Sequence, residues 1–378
     1  MITPTSMVAG GDAIGRGDDG RVVFIAGALP GETVTLEITD QRRDFSRARV
    51  VEVLDPSPFR VAAPCAELAR GCGGCQWQHV TAEGQRVLKA GIITDALRRQ
   101  AGVEDAPMRP TIELATTAYR TTLRAAVRDG RAAYRNLGSN DVTAVDGCLV
   151  AHPLVEDLLV NGRYGDAREV TLRCGARTGE RLASPSPSHA AVDVPADVRR
   201  DHIHEVVAGR LWRISARSFF QGRPDGADAL AALVTVAAGN GVSAHVVDLY
   251  SGVGLFAGVL ADRGWRVTAV EGSASSVADA RVNLSGAVTI VAADVTRWTA
   301  VPADLVVADP SRDGLRRAGV AVVSATGASR VVLVSCDAAA FGRDTRLLVD
   351  AGYRLTAVTP VDMFPQSFHV EIVAVFDR

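Results

Sequence analysis

The run Val246-Val247-Asp248-Leu249-Tyr250-Ser251-Gly252-Val253-Gly254-Leu255-Phe256 constrains this chain most: an apolar strand enters a glycine turn and leaves as a helix. Glycines in such a turn lack a Cβ, so backbone N–H groups can approach and face a ligand. From Asp225 onward the alternation repeats. Residues 227–238 and 254–263 read as helices, and 245–250, 267–271, 288–292, 305–308, 331–334 and 371–376 as strands. Strands that alternate with helices are covered on both faces. The expected fold class is therefore α/β, a mostly parallel Rossmann-like sheet with its ligand crevice at the carboxyl ends of the strands.

The turn narrows the ligand. A dinucleotide site wants G-x-G-x-x-G, and Ala257 stands at the third glycine position. S-adenosylmethionine, which has no phosphate to cradle, fits better. Asp248, Tyr250, Gly252 and Gly254 belong to the turn that would hold it. Glu271 ends the second strand, where a carboxylate takes ribose hydroxyls, and Asp294 follows the third, placed for the adenine amine.

Three further segments lie at strand ends on the same side: Ala308-Asp309-Pro310-Ser311-Arg312-Asp313-Gly314, Ser335-Cys336-Asp337 and His369-Val370-Glu371. A thiolate and a carboxylate suit methylation of a pyrimidine at C5. That carbon becomes nucleophilic once a thiolate has added to C6, and its proton must then be removed by a base. Cys336 is the candidate nucleophile and Glu371 the candidate base. The target must be single-stranded or flipped, because C6 is out of reach within a stack.

Cys65, Cys72 and Cys75 form C-x6-C-x2-C, with Cys148 a possible fourth thiolate; four soft ligands suit either zinc or a 4Fe-4S cluster. Six cysteines in a chain with no basic-then-apolar leader and no spanning apolar run suggest metal or catalytic roles in the cytoplasm, away from membranes. The net charge of −2 does not announce a nucleic-acid partner, and Lys89 is the only lysine among 41 Lys and Arg residues.

In these motifs the chain resembles the RNA 5-methyluridine methyltransferase family. That family carries D-P-P-R-x-G, V-S-C-[DN]-P and D-x-F-P-x-T-x-H-V-E, matched here by Asp309–Gly314, Val334–Ala338 and Asp362–Glu371. Its S-F-x-Q stretch falls on Ser218-Phe219-Phe220-Gln221. The resemblance implies that Gln221 and Tyr250 contact the cofactor and that Asp309 lies between cofactor and base. It also implies a 4Fe-4S cluster on Cys65, Cys72, Cys75 and Cys148, and an RNA-binding TRAM barrel over 1–58 in which Arg42-Arg43, Arg47 and Arg49 could track phosphates. A central α+β domain over 59–217 and a methyltransferase domain over 218–378 complete the expected organisation, as a monomer acting on ribosomal or transfer RNA. Departures from the family pattern are Ser311, Ala338, Leu255 and Gly222-Arg223. The rival readings are a methyltransferase for another pyrimidine or a small molecule, and a non-catalytic iron-sulfur RNA-binding protein.

Overall fold

The computed structural model describes residues 1–284, 286 and 288–378. Its C-terminal part is a seven-stranded sheet in the order Val288–Ala292, Arg266–Glu271, His245–Leu249, Leu305–Ala308, Arg330–Ser335, Ile372–Asp377, Arg354–Pro360. The first five strands run parallel, and Ile372–Asp377 lies antiparallel to both of its neighbours. The central strands are runs of Val, Leu and Ala, buried at every residue in His245–Leu249 and Leu305–Ala308. Such runs need covering on both faces, and Pro224–Ala238, Leu255–Ala261, Arg316–Ala325 and Ala338–Asp350 are among the helices that provide it. Chain order reverses direction between His245–Leu249 and Leu305–Ala308, which opens a crevice above Tyr250 and Asp309.

The N-terminal strands Ser6–Met7, Ala13–Arg16, Val22–Ala26, Thr33–Gln41 and Phe45–Asp55 form one sheet around Met7, Val23, Ile25, Leu29, Val34 and Ala48. The arginines expected to track phosphates are mostly engaged within this barrel. Arg42 pairs with Asp40 at 2.9 Å, Arg47 with Asp12 at 3.1 Å and Arg49 with Glu37 at 2.5 Å. Exposed pairs of this kind are weak, about 0–1 kcal/mol, so an RNA phosphate could exchange for a carboxylate at small cost.

The segment between barrel and sheet is not one packing unit. Strands Arg181–Ser186, Glu169–Cys174, Thr122–Arg128, Arg131–Arg135 and Val142–Ala144 form a sheet with its own core, which includes Leu123, Leu158, Tyr164 and Leu172. The helix Ala82–Ala96, N-capped by Thr81 and extended through a wide turn at Leu97–Ala101, instead buries Ile92, Ile93 and Leu97 in the core shared with the C-terminal sheet. The hairpin His202–Val207/Arg210–Ser215 contributes Ile203, Trp212 and Ile214 to the core on the sheet's other face. Packing of the C-terminal unit therefore begins upstream of residue 218.

Candidate active site

The glycine turn is built for close approach. Tyr250, Gly252 and Gly254 have φ of 61°, 56° and 99°. A Cβ on Gly254 would lie 2.6 Å from Leu284 Cδ1, so glycine is required there by packing as well as by backbone conformation. Gly252 faces open space, with only the Phe219 carbonyl oxygen 4.0 Å from a built Cβ. Asp248 is fully buried, and its Oδ2 accepts from the Ala257 N–H at 2.9 Å, fastening the first turn of the helix to the strand. Its Oδ1 and the Ser251 Oγ are buried with no partner. Two orphaned polar atoms beside an open glycine fit an incoming ligand with an amine and a carboxylate, as in an amino-acid moiety.

Glu271 accepts from the Gly252 N–H at 2.8 Å and the Ser273 N–H at 2.6 Å, which sets its carboxylate at the lip of the turn. Asp294 accepts from the Thr296 N–H at 2.8 Å and its hydroxyl at 2.7 Å, and its backbone passes beside Gly272. Its carboxylate thus closes a local turn. Tyr250 is half-buried, and its hydroxyl comes close to Gly319 on the helix Arg316–Ala325.

The reacting groups meet through the antiparallel return strand. Ser335 pairs with Ile372 at the end of this ladder, and Cys336 and Glu371 are the flanking residues on the two strands, near enough for the Glu371 charge to act on the Cys336 thiol. Asp309 follows the strand between the glycine turn and Cys336, and its Oδ2 accepts from Gln221 Nε2 at 3.1 Å. Burial pushes the Asp309 carboxyl up to about 7, against the Gln221 hydrogen bond. Burial, then the neighbouring Asp309 charge, raises Glu371. Burial pushes the Cys336 thiol up to about 12, helped by Glu371 and Asp309 and opposed by Arg312. A carboxyl near 7, as at Asp309, can exchange protons at neutral pH.

A cavity of about 280 Å³ lined in part by Gln221, Phe364 and His369 carries Arg120, Arg173, Arg223 and Arg312 and, among the described residues, no carboxylate on its lining. The acidic overall balance therefore does not extend to this wall. Cys75 and Gly74 also belong to it, and they join it to a neighbouring cavity of about 130 Å³ lined by Cys65, Cys72, Cys75 and Cys148. Among the described residues no group of side chains is disposed to hold a single metal ion. Cys174, outside this cysteine group, is buried with its Sγ 3.6 Å from His152 Nδ1.

Two features of the site were not foreseen. Asp279, buried in the helix Ala274–Asn283, accepts from the Ser215 N–H at 2.7 Å, the Ser218 hydroxyl at 2.5 Å and the Arg213 guanidinium, which holds the stretch leading to Gln221. The signal was an Asp between the apolar positions Val277 and Ala280. Phe219, next along, is 65% exposed at the cavity mouth.

Residues 2–51 match the TRAM domain family. An RNA methyltransferase of Streptomyces coelicolor is 33% identical, over 97% of this chain and 90% of that protein. The 23S rRNA (uracil(1939)-C(5))-methyltransferase RlmD of Methylococcus capsulatus is 32% identical, over 95% of this chain and 93% of its own length. The crystal structure of Pyrococcus abyssi tRNA (uracil-54, C5)-methyltransferase with S-adenosyl-L-homocysteine superimposes with a TM-score of 0.75 at 21% identity, covering 100% of this chain and 99% of that one, a likeness of fold. With full-length relatives of this kind and the site described above, the chain belongs to the RNA 5-methyluridine methyltransferase family.

Proposed function

We propose that the protein methylates C5 of a uridine in RNA, using Cys336 as nucleophile and Glu371 as base. What supports this reading is that Cys336 and Glu371 are the residues flanking the terminal Ser335–Ile372 pair of neighbouring strands, with Asp309 close enough to bear on both and an arginine-bearing cavity lined by Gln221, Arg312 and His369 nearby. The 23S rRNA activity in the name of the Methylococcus relative makes ribosomal RNA the first substrate to test. Among the described residues no helix is long and apolar enough to cross a membrane, and a cytoplasmic monomer meeting its RNA directly is the proposed setting.

S-adenosylmethionine, when bound, supplies the methyl group as an electrophile. The Asp248 Oδ1 and Ser251 Oγ orphans would receive its amino-acid end, Gly252 and Gly254 would let it close on the turn, and Glu271 and Asp294 would meet its ribose and adenine. Tyr250 would border the adenine side, and Gln221 would orient Asp309 toward the reacting centre. The Cys336 thiol gives up its proton to solvent and, as thiolate, forms a bond to C6 of the uracil, so that the C5–C6 π pair is pushed toward C5 and O4. After methylation the Glu371 carboxylate takes the C5 proton. The C–H pair then restores the double bond, and the S–C6 bond breaks to return the thiolate. Cys65, Cys72, Cys75 and Cys148 line one cavity and would hold a 4Fe-4S cluster there, bracing this wall; methyl transfer needs no electron from it.

Mass-spectrometric mapping of 5-methyluridine in RNA from a deletion strain, with and without the restored gene, tests the reading. One uridine should regain its methyl group with wild-type protein and stay bare with Cys336→Ala. Glu371→Gln should trap a covalent protein–RNA adduct. Methylation by the Cys336→Ala protein would refute the mechanism.

A further inference from the structure

Glu371 sits at the foot of a loop. The Val361 N–H donates to the Glu371 carbonyl at 2.8 Å, and residues 362–370 make the excursion between them. This excursion is gripped from outside the C-terminal sheet, chiefly by the helix Ala82–Ala96. Lys89, the only lysine of the chain, donates from Nζ to Asp362 Oδ1 and to the Phe364 carbonyl, both at 2.9 Å. Lys89 and Asp362 are 5% and 1% exposed. One turn earlier on the helix, Gln85 uses both ends of its amide: its Oε1 accepts from the Gln366 N–H at 2.7 Å, and its Nε2 donates to Gln366 Oε1 at 3.2 Å. The Trp77 N–H donates to the Gln366 carbonyl at 3.0 Å, and the Tyr119 hydroxyl donates to the Pro365 carbonyl at 3.0 Å. Gln366 is held at φ 68°, a left-handed conformation that costs a non-glycine residue about 1–2 kcal/mol and persists only where its surroundings impose it.

A loop that needed only a fold would not require a buried ion pair with a distant helix. A simple apolar contact is often as stable. What the grip provides is direction. A base must stay within hydrogen-bond reach of its proton, and a displacement of about 1 Å can cost roughly 10²-fold in rate. We propose that Lys89 and Gln85 are positioning residues for the proton-removal step, holding the 362–367 loop so that Glu371 keeps its place at C5. The inference rests on the proposed function and adds a division of labour: the helix Ala82–Ala96 serves the second half of the reaction, after addition of Cys336 to C6. Because Trp77 follows Cys75 by two residues and shares the grip on Gln366, the cysteine-lined loop braces the same strap.

The test uses full-length protein and RNA carrying uridine tritiated at C5, prepared from cells in which the gene is deleted. Covalent adduct formation is followed on denaturing gels after rapid quenching, and tritium release reports its breakdown. Lys89→Met should form adduct within about three-fold of the wild-type rate yet release tritium about 10- to 100-fold more slowly, so that adduct accumulates, with KM for RNA little changed. A purely structural role would lower the active fraction and leave the ratio of the two rates unaltered. Such an unaltered ratio, or equal slowing of both steps, overturns the proposal. Should Lys89→Met not fold, Gln85→Met and Tyr119→Phe carry the same expectation and decide it by the same ratio. Failure of wild-type protein to release tritium would instead sink the proposed function, and the clamp with it.

Discussion

Replacing Asp279 by alanine should loosen the stretch that delivers Gln221 without touching any reacting group. The side chain is fully buried and accepts from the Ser215 N–H at 2.7 Å, the Ser215 hydroxyl at 2.8 Å, the Ser218 hydroxyl at 2.5 Å and the Arg213 guanidinium. The hydroxyls can rotate to other acceptors, but the part-buried Ser215 N–H cannot, and losing its acceptor costs about 1 kcal/mol, the low end for an unsatisfied amide. Breaking a buried ion pair costs about 3–5 kcal/mol when the remaining charge stays dry. Here the Arg213 side chain is 21% exposed and has Asp201 at 3.8 Å as a second carboxylate, so the lower part of that range applies. Asp279→Ala should therefore destabilise the C-terminal unit by about 3–4 kcal/mol, and Asp279→Asn by about half as much. Urea unfolding followed by tryptophan emission reads this directly, since Trp212 and Trp265 lie in the affected core. Hydrogen exchange over residues 210–221 gives the local measure, and exchange at Ser215 should rise by roughly two orders of magnitude or more. Affinity for the cofactor should fall in step, because Gln221 loses its support. A urea midpoint displaced by less than the equivalent of about 1 kcal/mol, with unaltered exchange at Ser215, would refute the reasoning.

Two further outcomes follow from the electrostatics and the cysteine cavity. Burial and the charges of Glu371 and Asp309 hold the Cys336 thiol up to about 12, so without RNA its thiolate fraction at pH 8 is roughly 10⁻⁴. Iodoacetamide labelling of Cys336, read by peptide mass spectrometry, should accelerate about ten-fold per pH unit from 8 to 10, and Glu371→Gln, by removing a negative neighbour, should speed it at fixed pH. Rapid labelling at pH 7 would contradict the burial argument. Anaerobically purified protein should carry iron and sulfide with a broad visible absorption, and Cys72→Ser or Cys148→Ser should lose most of both; stoichiometric zinc in place of iron would overturn the cluster assignment.

The strand and glycine turn from Val246 to Phe256 were legible because their signal is local, with an unbroken apolar run followed by glycines at fixed offsets. The hairpin His202–Val207/Arg210–Ser215 was not. Its inward positions alternate correctly at Ile203, Glu205 and Val207, but the middle one is a buried carboxylate that accepts from the Ala176 and Arg177 N–H groups, at 2.6 and 3.1 Å. A polar residue at an inner position erases the alternation in sequence. The strand Arg354–Pro360 was missed as well, since its burial follows no clean period. Within the site, motifs named Cys336 and Glu371, but their proximity depends on Ile372–Asp377 running against its neighbours, a topological fact that no local window contains. The ion pairs of the barrel arginines were not legible for the converse reason, because the carboxylates that engage Arg47 and Arg49, Asp12 and Glu37, come from other segments of the barrel.

The grip on the 362–367 loop has a consequence for biosynthesis. Lys89 and Asp362 are 273 residues apart in the chain, and Gln85 and Gln366 are 281 apart. At about 5–20 residues per second on a ribosome, the helix waits roughly 15–60 s for the segment that completes its surroundings. Throughout that interval Ile92, Ile93 and Leu97 have only the N-terminal part of the core they finally share, and the Lys89 ammonium has water where its carboxylate will be. Contacts of such long range are slow to form and leave apolar surface uncovered meanwhile. The nascent chain thus passes through a sticky stage that closes as the helix Ala338–Asp350 and then the base-bearing loop dock, which makes this helix a control point for yield as well as for chemistry.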